Sequence, residues 1–134
     1  DDSTLDTLKS VTKLRPDYAR GWTMLGEVLI RAGRLSDAET ALSKALELSP
    51  DNSTILVNLG MVLARTGREV KAVPLFESAW LANADPESGA AFITALLNLG
   101  QNERAKTVAV DAIGRFPDSR RIRSLHGMAL GRAP

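Results

Sequence analysis

Hydrophobic residues along this chain recur with the spacing of amphipathic helices. Leu25 and Leu29 lie four residues apart, as do Leu42 and Leu46, and equivalent pairs follow further along. This spacing places the apolar side chains on one face of an α-helix. Runs with strict alternation of apolar and polar residues are missing, and the abundant Ala and Leu favour helix. The pattern therefore predicts an all-α fold.

Proline and glycine interrupt the helical pattern at regular points, from Pro16 and Gly33 to Gly100 and Pro117. The segments between them are about 12 to 16 residues long, a usual length for helices in globular proteins. We predict eight helices, near residues 3–14, 18–32, 36–48, 53–66, 69–83, 86–99, 102–115 and 119–131. Pro74 lies within the fifth helix and predicts a bend or a later helix start there.

Short polar residues mark several of the predicted helix starts. The sequence "SDAE" at residues 36–39 is typical of a capping box. Asp85 precedes Pro86, and a proline at the first helical position loses no hydrogen bond. The remaining predicted caps are Asn52 or Ser53, and Asp118 or Ser119.

The chain also repeats itself with a period close to 34 residues. The segment "RGWTMLGEVLIRAG" at 20–33 returns as "TILVNLGMVLARTG" at 54–67, and Ala38, Ala72 and Ala105 share one position in successive repeats. Such a period is typical of helix pairs that bury their apolar faces only by stacking on one another. We predict one domain with units at about 1–18 (partial), 19–52, 53–85, 86–119 and 120–134 (partial).

The residues at fixed points of the repeat resemble the pattern of the tetratricopeptide repeat family. In the first full unit this pattern falls on Trp22, Leu25-Gly26, Ala38, Leu42, Ala45 and Pro50. The second unit has Leu59-Gly60, Ala72, Phe76 and Ala79, and the third has Ala105, Ala112 and Pro117 but Phe92-Ile93 at the Leu-Gly position. The resemblance implies a right-handed superhelical solenoid of antiparallel helix pairs with a concave binding groove.

Gly26 and Gly60 are expected at helix crossings, where the missing side chain lets two helices approach closely. Ala38 and Ala72 are the small residues expected to face them. Trp22 and Trp80 fall within the apolar pattern, which favours packing over stacking on a ligand.

Composition and charge narrow the classes of function. The chain has 134 residues, of which 44% are hydrophobic and 25% charged, a balance typical of one folded domain. No apolar run is long enough to insert in a membrane, and a net charge of +1 gives no case for nucleic acid. The basic cluster "DSRRIR" at 118–123 is interpreted as a solvated helix face. The chain starts with Asp1 rather than Met, which suggests a processed protein or, in preference, a fragment of a longer one. The sequence does not indicate the cellular compartment.

Residues that could carry catalysis are scarce. There is no Cys, and His126 is the single His, so it has no partner for metal binding or acid–base work and is interpreted as a packing residue. No nucleophile motif, phosphate-binding loop or catalytic carboxylate pair is present. We predict no enzyme activity, no cofactor and no metal.

The groove implied by the resemblance is lined mainly by the first helix of each pair. One row of equivalent positions, spaced 34, 33 and 34 residues apart, holds Arg31, Arg65, Asn98 and Arg132. These residues could form a ladder of hydrogen-bond donors for an acidic peptide, or they could simply be solvated.

Three further residues are groove candidates. Asn58 could donate to and accept from a peptide backbone, with a solvated or cross-helix hydrogen-bonded side chain as the alternative. Met61 and Met128 could supply adaptable apolar contacts, with core or rim packing as the alternative.

The leading functional prediction is a protein–protein interaction scaffold that binds a peptide or protein without catalysis of its own. The alternative is a repeat segment of a larger enzyme, or of an assembly or transport protein, that mediates self-association or recruitment. Leu125, Met128 and Leu130 have no following helix to cover them, which predicts a homo-oligomer through exposed terminal helices.

Overall fold

The computed structural model describes residues 2–132. Within this range the chain forms eight α-helices and no β-strand, and every helix begins and ends within one residue of its predicted bounds. The helices are α1 (Asp2–Leu14), α2 (Ala19–Arg31), α3 (Leu35–Leu48), α4 (Ser53–Arg65), α5 (Glu69–Ala82), α6 (Pro86–Asn98), α7 (Asn102–Arg115) and α8 (Arg120–Leu130). The later start expected from Pro74 is wrong, because α5 begins at Glu69 and continues through the proline.

The helices form two layers. Each helix packs against the next one along the chain, and α2, α4, α6 and α8 also contact one another in that order. Across residues 2–132 the backbones of the alternate helices α1, α3, α5 and α7 do not approach each other in this way, although the long side chain of Arg104 on α7 pairs with Glu77 on α5 at 3.0 Å. The first set is therefore the more closely spaced layer, and the stack curves with this inner layer on its concave side. We call α2, α4, α6 and α8 the inner helices, and α1, α3, α5 and α7 the outer helices.

The same glycine turn joins the two helices of each complete pair, and these pairs are α2–α3 (first), α4–α5 (second) and α6–α7 (third). Gly33, Gly67 and Gly100 have φ angles of 77°, 83° and 73°, a left-handed conformation that glycine adopts without strain. The backbone amide of the residue after each glycine donates to a carbonyl in the last turn of the inner helix. The distance between the amide nitrogen and the carbonyl oxygen is 2.8 to 2.9 Å. These are the hydrogen bonds of a Schellman motif, which satisfies the carbonyls at a helix end.

Side-chain caps begin three of the four inner helices. Asn52 and Ser119 each accept a hydrogen bond from the amide three residues ahead, at 3.1 and 3.2 Å. Asp85 forms a capping box with Ser88 and is followed by a proline in the first turn. These residues confirm the caps predicted for α4, α6 and α8.

The capping box predicted at residues 36–39 is wrong. Helix α3 begins at Leu35, so Ser36 already lies inside its first turn, and no side chain caps this end. The residue at the N-cap position is Arg34, and its side chain makes no hydrogen bond to the amides of the first turn. Instead, Arg34 pairs with Asp37 at 2.7 Å on the surface.

Gly26 and Gly60 lie at close helix crossings, as predicted. A Cβ atom built on Gly26 would lie 2.5 Å from Leu42 Cγ, and one on Gly60 would lie 2.5 Å from Phe76 Cε1. The nearest atoms belong to Leu42 and Phe76, so the outer helix turns its large apolar residue onto the glycine, and the approach expected of Ala38 and Ala72 stays a prediction. Both alanines are fully buried beside this contact.

The third pair reverses this arrangement. Ile93 occupies the position of Gly60, and Ala109 occupies that of Phe76, each 33 residues further along. Both side chains are completely buried in one core cluster. The large residue therefore lies on the inner helix in this pair and on the outer helix in the other two.

The core runs along the interior of the stack. One cluster joins α1 to α4 and a second joins α4 to α8. Trp80 is buried and packs edge to face against Phe116, with ring centroids 6.2 Å apart, which confirms its packing role. Leu125 is also buried, so the prediction that it is uncovered is wrong.

No helix in residues 2–132 has the length and apolar character needed to cross a membrane.

Candidate functional site

A pocket of about 450 Å³ opens on the concave face between α4 and α6. Helix α4 contributes Met61, Ala64 and Arg65, and α8 contributes Arg121. The outer helix α5 reaches the pocket with Glu69 and Phe76, and α6 supplies Pro86, Glu87, Ala91, Thr94, Ala95 and Asn98. We call this site the groove pocket. Its volume lies in the range of small-molecule and peptide side-chain sites.

The floor of the groove pocket is apolar. Phe76 is 3% exposed and lies against Gly60, so its ring closes the inner end of the pocket. Ala64, Ala91 and Ala95 form the walls, and their short side chains leave the space between α4 and α6 open. The floor can therefore accept an apolar group from a ligand.

The rim of the groove pocket carries charges of both signs. Arg65 and Arg121 provide two guanidinium groups, and Glu69 and Glu87 provide two carboxylates. None of these four forms an ion pair with another residue of the range 2–132. The Oε1 atom of Glu69 is buried and accepts no hydrogen bond from the described residues. The rim therefore has donors and acceptors that a ligand could satisfy.

The structure brings three of the seven predicted groove residues together. Met61, Arg65 and Asn98 line the groove pocket, whereas Arg31 lies at a separate small pocket between α1 and α2. The predicted row of donors is therefore divided, with Arg65 and Asn98 at the groove pocket and Arg31 at the other pocket. Among the residues that sequence reasoning did not select, Glu69 and Phe76 come from an outer helix. The signal available for this pocket was the presence of three alanines on α4 and α6, Ala64, Ala91 and Ala95, at positions where the α2–α4 interface has larger residues.

The remaining three predicted residues lie outside the groove pocket. Asn58 donates through Nδ2 to Glu27 Oε2 at 3.4 Å, a hydrogen bond between α4 and α2. Arg132 donates through Nη1 to the Leu97 carbonyl at 3.4 Å, between α8 and α6. Met128 is exposed on α8.

Outside the groove, an ion pair connects the first and second helix pairs. Arg68 donates to both carboxylate oxygens of Glu39. This hydrogen bonding lowers the pKa of Glu39 below its usual value, against the opposing effect of partial burial, and the nearby charges of Arg68 and Lys71 lower it further. The same contact raises the pKa of Arg68.

Helix α8 presents a second uncovered surface. Leu130 is 56% exposed, whereas its equivalents Leu29, Leu63 and Leu96 are at most 9% exposed. A Cβ atom built on Gly127 would meet no atom within 4 Å, unlike one on Gly26 or Gly60. The face that an outer helix covers in each complete pair is therefore open on α8.

Comparison with known proteins agrees with this architecture. Residues 5–53 and 23–88 match the family described as Tetratricopeptide repeat, and these overlapping matches span more than half of the chain. The chain belongs to the tetratricopeptide repeat family. Members of this family have the fold of a protein-interaction scaffold, and the predicted all-α solenoid is confirmed.

Two curated relatives match short parts of this tetratricopeptide repeat chain. It is 36% identical over 66 residues to the peroxisomal targeting signal receptor of Candida albicans, over 49% of this chain and 11% of the receptor. It is 32% identical over 54 residues to small glutamine-rich tetratricopeptide repeat-containing protein 2 of Mycosarcoma maydis, over 40% of this chain and 15% of that protein. The matched parts are thus a small share of both relatives.

Solved structures share the fold at low sequence identity. A thermophilic tetratricopeptide repeat protein of Thermus thermophilus aligns with a TM-score of 0.79 and 23% identity, over 94% of this chain and 71% of that one. YrrB, a repeat protein with an unusual peptide-binding site, aligns with a TM-score of 0.81 and 22% identity, over 92% and 64%. An O-GlcNAc transferase of Thermobaculum terrenum aligns at 0.75 and 22% identity, over 84% of this chain and 22% of the enzyme. A repeat region of this kind can therefore belong to an enzyme.

Proposed function

We propose that this chain binds an extended segment of a partner protein across α4, α6 and α8 and performs no catalysis itself. The observation that carries the proposal is the groove pocket, which combines an apolar floor with charged groups that lack partners among residues 2–132. The peptide-binding site of YrrB and the receptor role of the Candida albicans relative support the same class of function.

Met61, Arg65 and Asn98 form the centre of the proposed site, together with Arg121. Asn58, Met128 and Arg132 lie at its edges, and Arg31 lies at a separate pocket on α2. Arg65 and Arg121 support an acidic residue in the partner, because a guanidinium group binds a carboxylate through paired hydrogen bonds. Glu69 and Glu87 in the same rim disfavour a long acidic run, so we propose a single carboxylate at this point.

The experiment selects peptides from a phage-displayed random library against the chain and measures the affinity of a selected peptide by fluorescence anisotropy. Arg65→Glu should weaken binding about tenfold or more, because it replaces a charge-assisted hydrogen bond with repulsion. Arg31→Glu is the matched control in the same row and should change the affinity less than about threefold. Circular dichroism checks that both variants keep their helices. Failure to select any binding peptide, or equal losses in both variants, would contradict the proposal.

A second proposed function is recruitment or self-association through α8, as part of a larger protein. The exposed Leu130 and the open space at Gly127 favour it, because an apolar helix face of this kind is covered in each complete pair. Sedimentation velocity should show mass increasing with concentration, and Leu130→Glu should abolish the increase. A strict monomer at all concentrations would exclude self-association of this chain.

A further inference from the structure

We infer that the groove pocket is an anchor site for one bulky apolar side chain, such as Leu, Ile, Met or Phe, of an extended partner segment. The inference rests on the proposed peptide-binding function and specifies what the peptide must contain. It follows from a comparison of the three interfaces between successive inner helices, α2–α4, α4–α6 and α6–α8.

The α4–α6 interface has alanine at three positions, where the α2–α4 interface has a larger residue at all three and the α6–α8 interface has a larger residue at two. Ala64, Ala91 and Ala95 correspond, through the repeat period, to Ile30, Asn58 and Val62 at the α2–α4 interface. At the α6–α8 interface the corresponding residues are Leu97, Leu125 and Ala129. The space that side chains fill elsewhere is thus left empty between α4 and α6, which explains why the groove pocket opens at this point of the stack.

Side-chain hydrogen bonds cross the two filled interfaces but not the open one. Asn58 donates to Glu27 between α4 and α2, and Arg132 donates to the Leu97 carbonyl between α8 and α6. Within residues 2–132 no hydrogen bond joins α4 to α6. A ligand side chain can therefore enter the α4–α6 interface without breaking a hydrogen bond between these two helices.

The aromatic ring at the inner end suits an apolar occupant. Phe76 takes the place of Leu42 in the first pair and Ala109 in the third, so a flat apolar surface lies below the groove at this pair only among the three. Burial of one large aliphatic or aromatic side chain there would provide much of the affinity of a short peptide.

The charges of the rim fit the groups on either side of such an anchor. Arg65, Arg121 and Asn98 are donors for backbone carbonyls or one carboxylate, and Glu69 and Glu87 are acceptors for backbone amides. Because the guanidinium groups and carboxylates are equal in number, the rim complements an extended backbone rather than a uniformly charged segment. The partner segment is therefore mixed in charge, with one apolar residue directed into the groove pocket.

The first test uses N-acetyl-leucine amide as a minimal probe and N-acetyl-alanine amide as its control. With ¹³C-methyl-labelled alanine, the resonances of Ala64, Ala91 and Ala95 should shift on titration with the leucine probe and remain in place with the alanine probe. Equal shifts with both probes, or no shift with either one, would overturn the inference.

The second test fills the pocket with residues copied from the α2–α4 interface. Ala64→Ile and Ala91→Asn reproduce Ile30 and Asn58 at half-buried positions, where added atoms are tolerated. Each should weaken a library-selected peptide about tenfold or more and abolish the shifts caused by the leucine probe. Ala82→Ile adds the same bulk at an exposed position of α5 and should change the affinity less than about twofold.

The outcomes separate the inference from the proposed function. A selected peptide that binds Ala64→Ile and Ala91→Asn as tightly as the wild type would overturn the anchor site and leave peptide binding intact. Probe shifts that the substitutions abolish, without any library peptide that binds, would support the anchor site and overturn the proposed function. In a selected peptide, alanine substitution should cause its largest loss at one bulky apolar residue.

Discussion

The second and third helix pairs solve the same packing problem with opposite residues. In the second pair Gly60 on the inner helix receives Phe76 from the outer helix, and in the third pair Ile93 on the inner helix faces the small Ala109. All four positions are buried. The contact between the two helices of a pair therefore needs a particular combined side-chain volume, and either helix can supply it.

The largest expected effect comes from breaking this balance in the second pair. Gly60→Ile adds a side chain where even a Cβ would lie 2.5 Å from the Phe76 ring, so it should destabilise the fold by about 3 kcal/mol or more. Phe76→Ala alone should cost about 3–5 kcal/mol through the cavity it leaves. The double variant copies the third pair and should be more stable than either single variant. Urea unfolding followed by circular dichroism measures all three.

Gly114→Ala serves as the control for adding a side chain to a helical glycine. A Cβ there meets no atom within 4 Å, so this variant should gain up to about 1 kcal/mol from helix propensity. A double variant no more stable than Gly60→Ile would show that backbone position, rather than combined volume, decides the contact.

The second and third pairs also differ in the N-terminal cap of their inner helix, and removal of either cap should cause a smaller loss of stability. The cap of α4 is a single hydrogen bond to Asn52, whereas α6 starts with a reciprocal capping box between Asp85 and Ser88. Asn52→Ala should cost about 1 kcal/mol, and Asp85→Ala should cost more, up to about 2 kcal/mol, because the Ser88 amide loses its acceptor and the helix N-terminus also loses a negative charge. Thermal unfolding of both variants checks the order, and equal losses would contradict it.

The smallest effect concerns the ion pair that ties the second pair to the first. Arg68 lowers the pKa of Glu39, so this carboxylate stabilises the fold above its unfolded pKa, and the stabilisation is lost as pH falls through the lowered value. Glu39→Gln should therefore be slightly less stable than the wild type near neutral pH and equal to it in strong acid. Both side chains are about one-third exposed, which keeps the effect small. Thermal midpoints measured from pH 7 to pH 2 test this, and a constant difference would contradict it.

The course of the chain was predictable because it depends on local signals. Gly33, Gly67 and Gly100 end helices by adopting a left-handed conformation, and Asn52 and Asp85 begin them with their side chains. Each signal acts within a few residues, so it can be read from the sequence without knowledge of the tertiary structure. The capping box predicted at Ser36 was wrong because the same local sequence pattern also occurs inside a first helical turn.

The rotation of one helix against another was less predictable. The repeat aligned Ala38 with Ala72, but it could not show that Leu42 and Phe76 supply the atoms nearest to the glycines. The repeat also grouped Arg31 with Arg65, whereas the structure places them at different pockets. Position in a repeat defines a row along the groove, and the size of neighbouring side chains decides where that row opens into a cavity.

Contacts in this molecule join only neighbours in the stack, and no interaction links α1 to α8 within residues 2–132. Loss of a terminal helix therefore removes one layer of contacts and leaves the interior pairs with their own. Amide protons should accordingly exchange fastest at the two ends and slowest in α4 to α6. The proposed partner would then bind at the groove pocket, on the part of the chain whose helices unfold locally least often.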